Sequence, residues 1–196
     1  MKIPSAEIQV ISPTRKGETG TVNLNNVLQA ALNPKAPGKH EALSGEKCFR
    51  EGDRVMQIRN NYDILWKKAN GAAGTGVFNG DIGVIVSIDT REGVMTVRFD
   101  DRTVEYDTDM LSELELAYAV TAHKSQGSEY RAVIFVPFMG APMLLTRGVL
   151  YTAVTRAREL LILVGNEEVV AQMTYNNRRN KRYSGLKHRL TGAGAV

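Results

Sequence analysis

Hydrophobic and polar positions change their spacing along this chain, and those changes divide it. Glu7–Ile11 reads as a short strand that Ser12-Pro13 ends. A turn carrying two cations and two glycines follows, Thr14-Arg15-Lys16-Gly17-Glu18-Thr19-Gly20. From Asn23 the apolar positions Leu24, Val27, Leu28, Ala31 and Leu32 recur three and four apart. That spacing predicts the apolar face of a helix, which Asn33-Pro34 stops. Lys35–Lys47 is polar, contains Pro and Gly, and reads as a linker. Helical spacing is then missing throughout 52–109. Arg54–Arg59, Gly83–Ile88, Val94–Phe99 and Thr103–Tyr106 are short β-type segments, Asn79-Gly80 is a tight turn, and Gly71–Gly76 is expected to be a mobile loop. Strands at this density predict a small barrel of about sixty residues. It would interrupt an α/β domain whose chain resumes at Leu111.

The stretch 116–165 reads as strand, polar turn, strand, helix, strand. Leu116–Val120 and Ala132–Val136 are short apolar runs of the buried-strand type. Between them lies Thr121-Ala122-His123-Lys124-Ser125-Gln126-Gly127-Ser128-Glu129, dense in hydrogen-bonding groups, at the place where an α/β sheet puts its chemistry. The helical stretch passes through Thr155-Arg156-Ala157-Arg158 into the apolar run Leu160–Val164. An arginine so placed can reach an anion across a crevice without changing its protonation state. Glu167–Tyr175 reads as a further helix with acids at its start. The expected segments are 1–47 and 111–190 for the α/β domain, 48–110 for the barrel, and 191–196 as a tail.

Composition adds limits. With 196 residues, 43% of them hydrophobic, the chain can bury one large or two small cores. No apolar run approaches the ~20 residues that cross a bilayer, and the first residues carry no signal core. A single cysteine, Cys48, excludes an internal disulfide and a cysteine-cluster zinc site, so a reducing, cytoplasmic setting and no membrane partner are expected. Net charge is only +4, but it is unevenly spread. Residues 100–115 hold Asp100, Asp101, Glu105, Asp107, Asp109, Glu113 and Glu115, so any DNA-contacting face of the barrel must lie elsewhere. The basic stretch 176–189 reads as a solvated terminal helix or frayed tail rather than a DNA arm.

The chain contains no G-x-x-x-x-G-K-[ST] string, the loop whose amides and lysine cradle nucleotide phosphates. Nor does it contain an apolar strand ending in paired acids that would hold magnesium. Ser44-x-x-Lys47 and Ser184-x-x-Lys187 both match a hydrolase spacing, and two matches in one chain show how little that spacing means. His40, His123 and His188 are far apart without acidic partners at ligand spacing, so no metal site is expected. The chain can offer anion donors and nucleic-acid contacts but not a complete nucleotide site.

Two segments carry a family resemblance. Thr-Ala-His-Lys-Ser-Gln-Gly-Ser-Glu (121–129) resembles motif V of superfamily 1 helicases, and Leu-Tyr-Thr-Ala-Val-Thr-Arg-Ala-Arg (150–158) resembles motif VI. Their wording is closest to the RecD-like branch, which includes exodeoxyribonuclease V alpha subunits. Ser-Pro-Thr-Arg-Lys-Gly, followed by Leu-Asn-Asn-Val-Leu-Gln, is similar to motif IV of that branch. Gly52-Asp53-Arg54-Val55-Met56-Gln57 and Asn79-Gly80-Asp81-Ile82-Gly83 are similar to its inserted barrel. The resemblance covers roughly residues 7–175. It implies a RecA-like, P-loop NTPase-type parallel-sheet domain (2A) lacking the P-loop, interrupted by a small all-β SH3-like barrel (2B).

By the same resemblance, the fragment belongs to an ATP-dependent helicase moving 5′ to 3′ along single-stranded DNA. An N-terminal RecA-like lobe of the same polypeptide would hold most of the ATP and Mg²⁺, and other recombination or repair subunits are further partners. Arg156 is then the arginine finger of motif VI and Arg15 the arginine of motif IV, both turned to the γ-phosphate. Gly127, Ser128 and Glu129 lie towards nucleotide, with Glu129 accepting a bond from a ribose hydroxyl or a water. Thr121, His123, Lys124 and Ser125 lie towards DNA phosphates. Arg158 is expected in a structural ion pair. Tyr62 and Trp66 are candidates for base stacking, with core packing the expected fate of Trp66. Alone, the chain should hydrolyse ATP negligibly. The rival reading is a stand-alone module that binds nucleic acid or a partner and never meets ATP. The motor reading requires the Arg15 and Arg156 guanidinium groups to meet at one edge of the sheet.

Overall fold

The computed structural model describes residues 2–139 and 142–178. Strand β1 (Ile8–Ser12) leads through the cationic turn into helix α1 (Thr21–Leu32). Strands β2 (Glu41–Ser44) and β3 (Lys47–Arg50) follow, then β4 (Arg54–Gln57), β5 (Asn61–Lys68), β6 (Ala73–Val77), β7 (Ile82–Asp89), β8 (Val94–Phe99), β9 (Arg102–Tyr106) and β10 (Leu114–Leu116). The chain ends through β11 (Ala119–Thr121), β12 (Tyr130–Phe135), α2 (Arg147–Val154), β13 (Ala157–Leu163) and α3 (Glu167–Tyr175). Strands β11-β1-β12-β13 form a parallel sheet, and β10-β4-β7-β8-β9-β5-β6 form an antiparallel one. The expected α/β architecture with an all-β insertion is therefore present.

Strand alternation explains each core. In the parallel sheet, Ile11, Val133 and Phe135 point to one face, where Leu145, Ala153, Val169 and Met173 cover them. Val10, Ile134 and Ile162 stand side by side in register on the other face, with Leu28 and Leu32 of α1 near the first two. In the insertion, Phe49, Val55, Ile85, Val97, Phe99, Val104, Tyr106 and Leu114 form a separate core. Burying each such side chain contributes about 1.5–3 kcal/mol over leaving it exposed.

Several local expectations are corrected. The apolar run Leu116–Val120 is two strands, because Leu114–Leu116 pairs antiparallel with β4 while Ala119–Thr121 pairs parallel with β1. The antiparallel sheet thus reaches beyond residue 110. The expected linker contains a hairpin, with Gly45 at positive φ in the turn between β2 and β3. The loop expected at Gly71–Gly76 is largely strand β6, paired with β5. Gly74 is required there, since a Cβ at that position would lie 2.5 Å from the Trp66 ring.

Helix α1 differs most. It buries Thr21, Asn25 and Gln29, while Val22, Val27 and Leu32 are exposed. Those buried amides bond to strand backbone and to a buried carboxylate. Asn25 donates to Leu116 O and Ala119 O and accepts from Ala119 N, at the crossing between the two sheets. Gln29 and Asn33 both donate to the buried Asp53 carboxylate, which also accepts from Arg50 N and the Tyr118 hydroxyl. Burial first, then the neighbouring Asp53, push the Tyr118 phenol up, so it remains a donor. One carboxylate thereby joins α1, the hairpin, the insertion and the strand entering residues 119–121. The basic stretch expected at 176–189 and the tail at 191–196 lie mostly or wholly outside the described residues.

Candidate functional site

Because β1, β11, β12 and β13 all run parallel, position along each strand assigns its flanking residues to one of two sheet edges. Arg15 and Lys16 follow the carboxyl end of β1, and Thr121–Gln126 continue from the carboxyl end of β11. Ser128 and Glu129 precede the amino end of β12, and Arg156 precedes that of β13. Arg15 and Arg156 therefore lie on opposite edges, separated by a strand length of about 15 Å. The expectation that they meet at one edge is corrected. Sequence spacing could not reveal this, since it does not specify strand direction.

At the carboxyl edge Glu115 organises the cations. Its carboxylate is 2.7 Å from Arg15 Nη2 and 2.7 Å from Lys124 Nζ. Burial would raise its pKa, but the Lys124 hydrogen bond and the charges of Lys124, Arg15 and Lys47 hold the carboxyl below its usual range. Lys47 donates to Leu114 O at 2.8 Å. Burial pushes its ammonium below the ordinary value; Glu115 opposes that shift, and Arg15, Lys124 and Arg59 add to it. In the sequence Glu115 stands out only as part of an acidic run and Lys47 only in a hydrolase spacing without meaning. The available signal was a carboxylate alternating with leucines in Leu114-Glu115-Leu116.

The loop leaving β11 is a compact turn. Ser125 N donates to Thr121 O, Lys124 N to Thr121 Oγ1, and Ser128 N to Ser125 O. His123 is exposed and Lys124 half-buried, with Thr121 half-buried at the base. Ser125 is fully buried and its hydroxyl donates to Ala122 O at 2.8 Å. Its expected role as a phosphate contact is thus corrected to shaping the turn. Gly127 has a φ of +85°, which lets the chain reverse toward the amino edge.

At the amino edge, Arg156 donates from Nη1 to Ser128 O at 2.9 Å and from Nε to Thr152 O at 3.2 Å. Arg156 O accepts from Tyr130 N at 2.8 Å, fastening the end of one motif to the other. Arg158 forms the expected ion pair, with Glu129 as its partner at 2.7 Å. Glu129 is thus paired with an arginine at the surface. Gly127, Ser128, Glu129 and Arg156 come together, while Thr121, His123 and Lys124 join Arg15 on the far edge. Among the described residues no group of three or more His, Cys, Asp or Glu side chains could hold a metal ion, and no helix is long and apolar enough to cross a membrane.

The family described as "ATP-dependent RecD-like DNA helicase SH3 domain" matches residues 24–99, and "UvrD-like helicase C-terminal domain" matches residues 116–164. The ATP-dependent RecD2 DNA helicase of Deinococcus radiodurans is 34% identical over 183 residues, covering 93% of this chain and 23% of that protein. The RecBCD enzyme subunit RecD of Mycolicibacterium smegmatis is 39% identical over 188 residues, covering 96% of this chain and 30% of that subunit. The chain thus spans less than a third of the length of these relatives. A structure of two Pif1 helicases coordinating at forked double-stranded DNA shares the fold, with a TM-score of 0.56 at 18% identity, over 98% of this chain and 46% of that one. So does Bacteroides Pif1 in complex with ADP-AlF3 and single-stranded DNA, with a TM-score of 0.54 at 18% identity, over 94% of this chain and 46% of that one. The chain carries the SH3 domain described for RecD-like DNA helicases and a UvrD-like helicase C-terminal domain.

Proposed function

We propose that this chain is the C-terminal motor region of an ATP-dependent RecD-like DNA helicase, translocating 5′ to 3′ on single-stranded DNA. The observation that carries this reading is the hydrogen bond from Arg156 to Ser128 O. It ties the arginine at one sheet edge to a nine-residue loop whose other end presents Thr121, His123 and Lys124 at the opposite edge. A shift of Arg156 toward a phosphate would pull directly on the groups facing the strand.

In this reading, Arg156 approaches the γ-phosphate of ATP whose phosphates and Mg²⁺ are held by an N-terminal RecA-like lobe of the same polypeptide. A guanidinium there neutralises charge that builds on the transferring oxygens. Ser128 and Glu129 position Arg156 and Arg158, and Gly127 gives the loop its reversal. The meeting of Arg15 and Arg156 that this reading required does not occur, so the reading is kept on Arg156 and on the helicase-domain matches alone, and Arg15 is assigned to the DNA edge beside Lys124 rather than to the phosphate. Closure of the lobes on ATP and their parting after release would alternate the grip on the strand. The chain alone is inactive, works in the cytoplasm, and meets other recombination or repair subunits through its parent protein.

The test is DNA-stimulated ATP hydrolysis by this chain mixed with a RecD-like N-terminal lobe. Arg156→Ala should reduce turnover by roughly 10³–10⁵, while Arg178→Ala leaves it unchanged. Tight DNA binding by this chain with no hydrolysis in any mixture would instead establish a stand-alone binding module.

A further inference from the structure

The cationic edge of the parallel sheet does not end at the sheet. Residues 113–115 form a spine on which successive groups are fastened. Glu115 holds Arg15 and Lys124, Leu114 O holds the Lys47 ammonium, and Glu113 O accepts from Ile58 N, next to Arg59. The Glu113 carboxylate accepts from the side chains of Gln57 and Asn61. Asn60 donates to the Tyr62 hydroxyl and accepts from Asn79 N, drawing the loop before β5 against the loop after β6. Tyr62, at the start of β5, and Phe78, just after β6, meet edge to face at 5.6 Å between ring centres. Tyr62 is 64% exposed and Phe78 42% exposed, although a pair of this size would ordinarily be buried.

Cations leading to an exposed aromatic pair match single-stranded nucleic acid, whose backbone follows charge and whose bases stack on rings. Of the two acids in this spine, Glu115 is offset by the two cations it binds, while Glu113 keeps its charge and is held by two neutral amides; Arg59 is exposed. We propose that the DNA track continues from Lys124 and Arg15 across Lys47 and Arg59 onto the insertion, where an unpaired base stacks on Tyr62 and Phe78. This rests on the reading of the carboxyl edge as DNA-facing, and extends it to residues that reading does not use.

Fluorescence anisotropy with labelled oligothymidylate, titrated with this chain at several salt concentrations, tests the track. Replacing Tyr62 and Phe78 together by alanine should weaken binding about tenfold or more without changing the salt slope. Arg59→Ala should weaken it and reduce the slope by about one. Tyr62→Phe, which keeps the ring, should bind as the parent does. If the double variant fails to fold, ultraviolet cross-linking of the parent chain to oligothymidylate should yield an adduct at Tyr62 or Phe78. Parental affinity in a folded double variant, or no adduct at either ring, would overturn the proposal. Lys124→Ala distinguishes the two readings. If it weakens binding while the ring variants do not, the track stops at the sheet. If neither does, the DNA-facing edge itself is wrong.

Discussion

Glu115 shows how one carboxylate can fix several cations without cancelling their effect. It is bound by Arg15 and Lys124 and lies near Lys47, so its proton is harder to add in the folded chain than in the unfolded one. A carboxyl with a lowered folded pKa contributes stability that is fully present above its ordinary value and drains as pH falls through the folded one. Glu115→Gln should therefore be less stable than the parent near neutrality, with the difference closing as pH falls through and below the ordinary carboxylate range. Urea midpoints at several pH values measure this, and a difference that persists unchanged into acid would contradict it. Ser125 gives the complementary lesson. It sits among exposed motif residues, yet its hydroxyl is consumed within the turn, so chemical suitability for a phosphate did not make it available.

Strand β6 illustrates how an element can be hidden by its composition. Ala73-Gly74-Thr75-Gly76-Val77 has the look of a flexible loop, but glycine is there to let Trp66 lie across the sheet. Trp66 Nε1 donates to Thr75 O, and the Lys68 ammonium stands 5.8 Å from the ring centre. Gly74→Ala should displace the indole and lower stability by about 1–3 kcal/mol. Since Trp66 is the only tryptophan, a red-shifted fluorescence maximum and a lower melting midpoint report both effects in one sample. An unchanged spectrum would mean the ring does not pack as described. Helix α1 makes a related point. Its apolar spacing was legible, but the residues it buries are Thr21, Asn25 and Gln29, and Asn25 bonds the backbone where the chain crosses between the sheets at 116–119.

At the scale of the molecule, the insertion and the parallel sheet are joined by polar contacts as well as by apolar packing. Asp53 is fully buried and accepts from Gln29, Asn33, Arg50 N and Tyr118. Gln9 reaches Ala117 O and Tyr118 O, and Met56 of the insertion packs into the parallel-sheet core. Asp53→Ala would leave several buried donors unsatisfied, at ~1–3 kcal/mol each, so a loss of at least about 3 kcal/mol is expected. Both parts should lose stability together. Denaturant midpoints from Trp66 fluorescence, which reports the insertion, and from helical circular dichroism, which reports the α/β part, should move in parallel. Movement of one alone would show that Asp53 serves only that part.

The sequence alone determined the α/β class, the all-β insertion, the helix after the first strand and the two motif segments. These depend on local spacing and residue type, which each short window carries within itself. It also anticipated an ion pair for Arg158, though not that Glu129 would be its partner. Only the tertiary structure decided the edges: parallel pairing put Arg15 and Arg156 a strand apart, and the packing of the turn withdrew Ser125 from solvent. Glu115, Asp53 and the Tyr62–Phe78 pair acquire meaning from neighbours tens of residues away. Such contacts are set by strand order and direction, which residue spacing within a window does not encode.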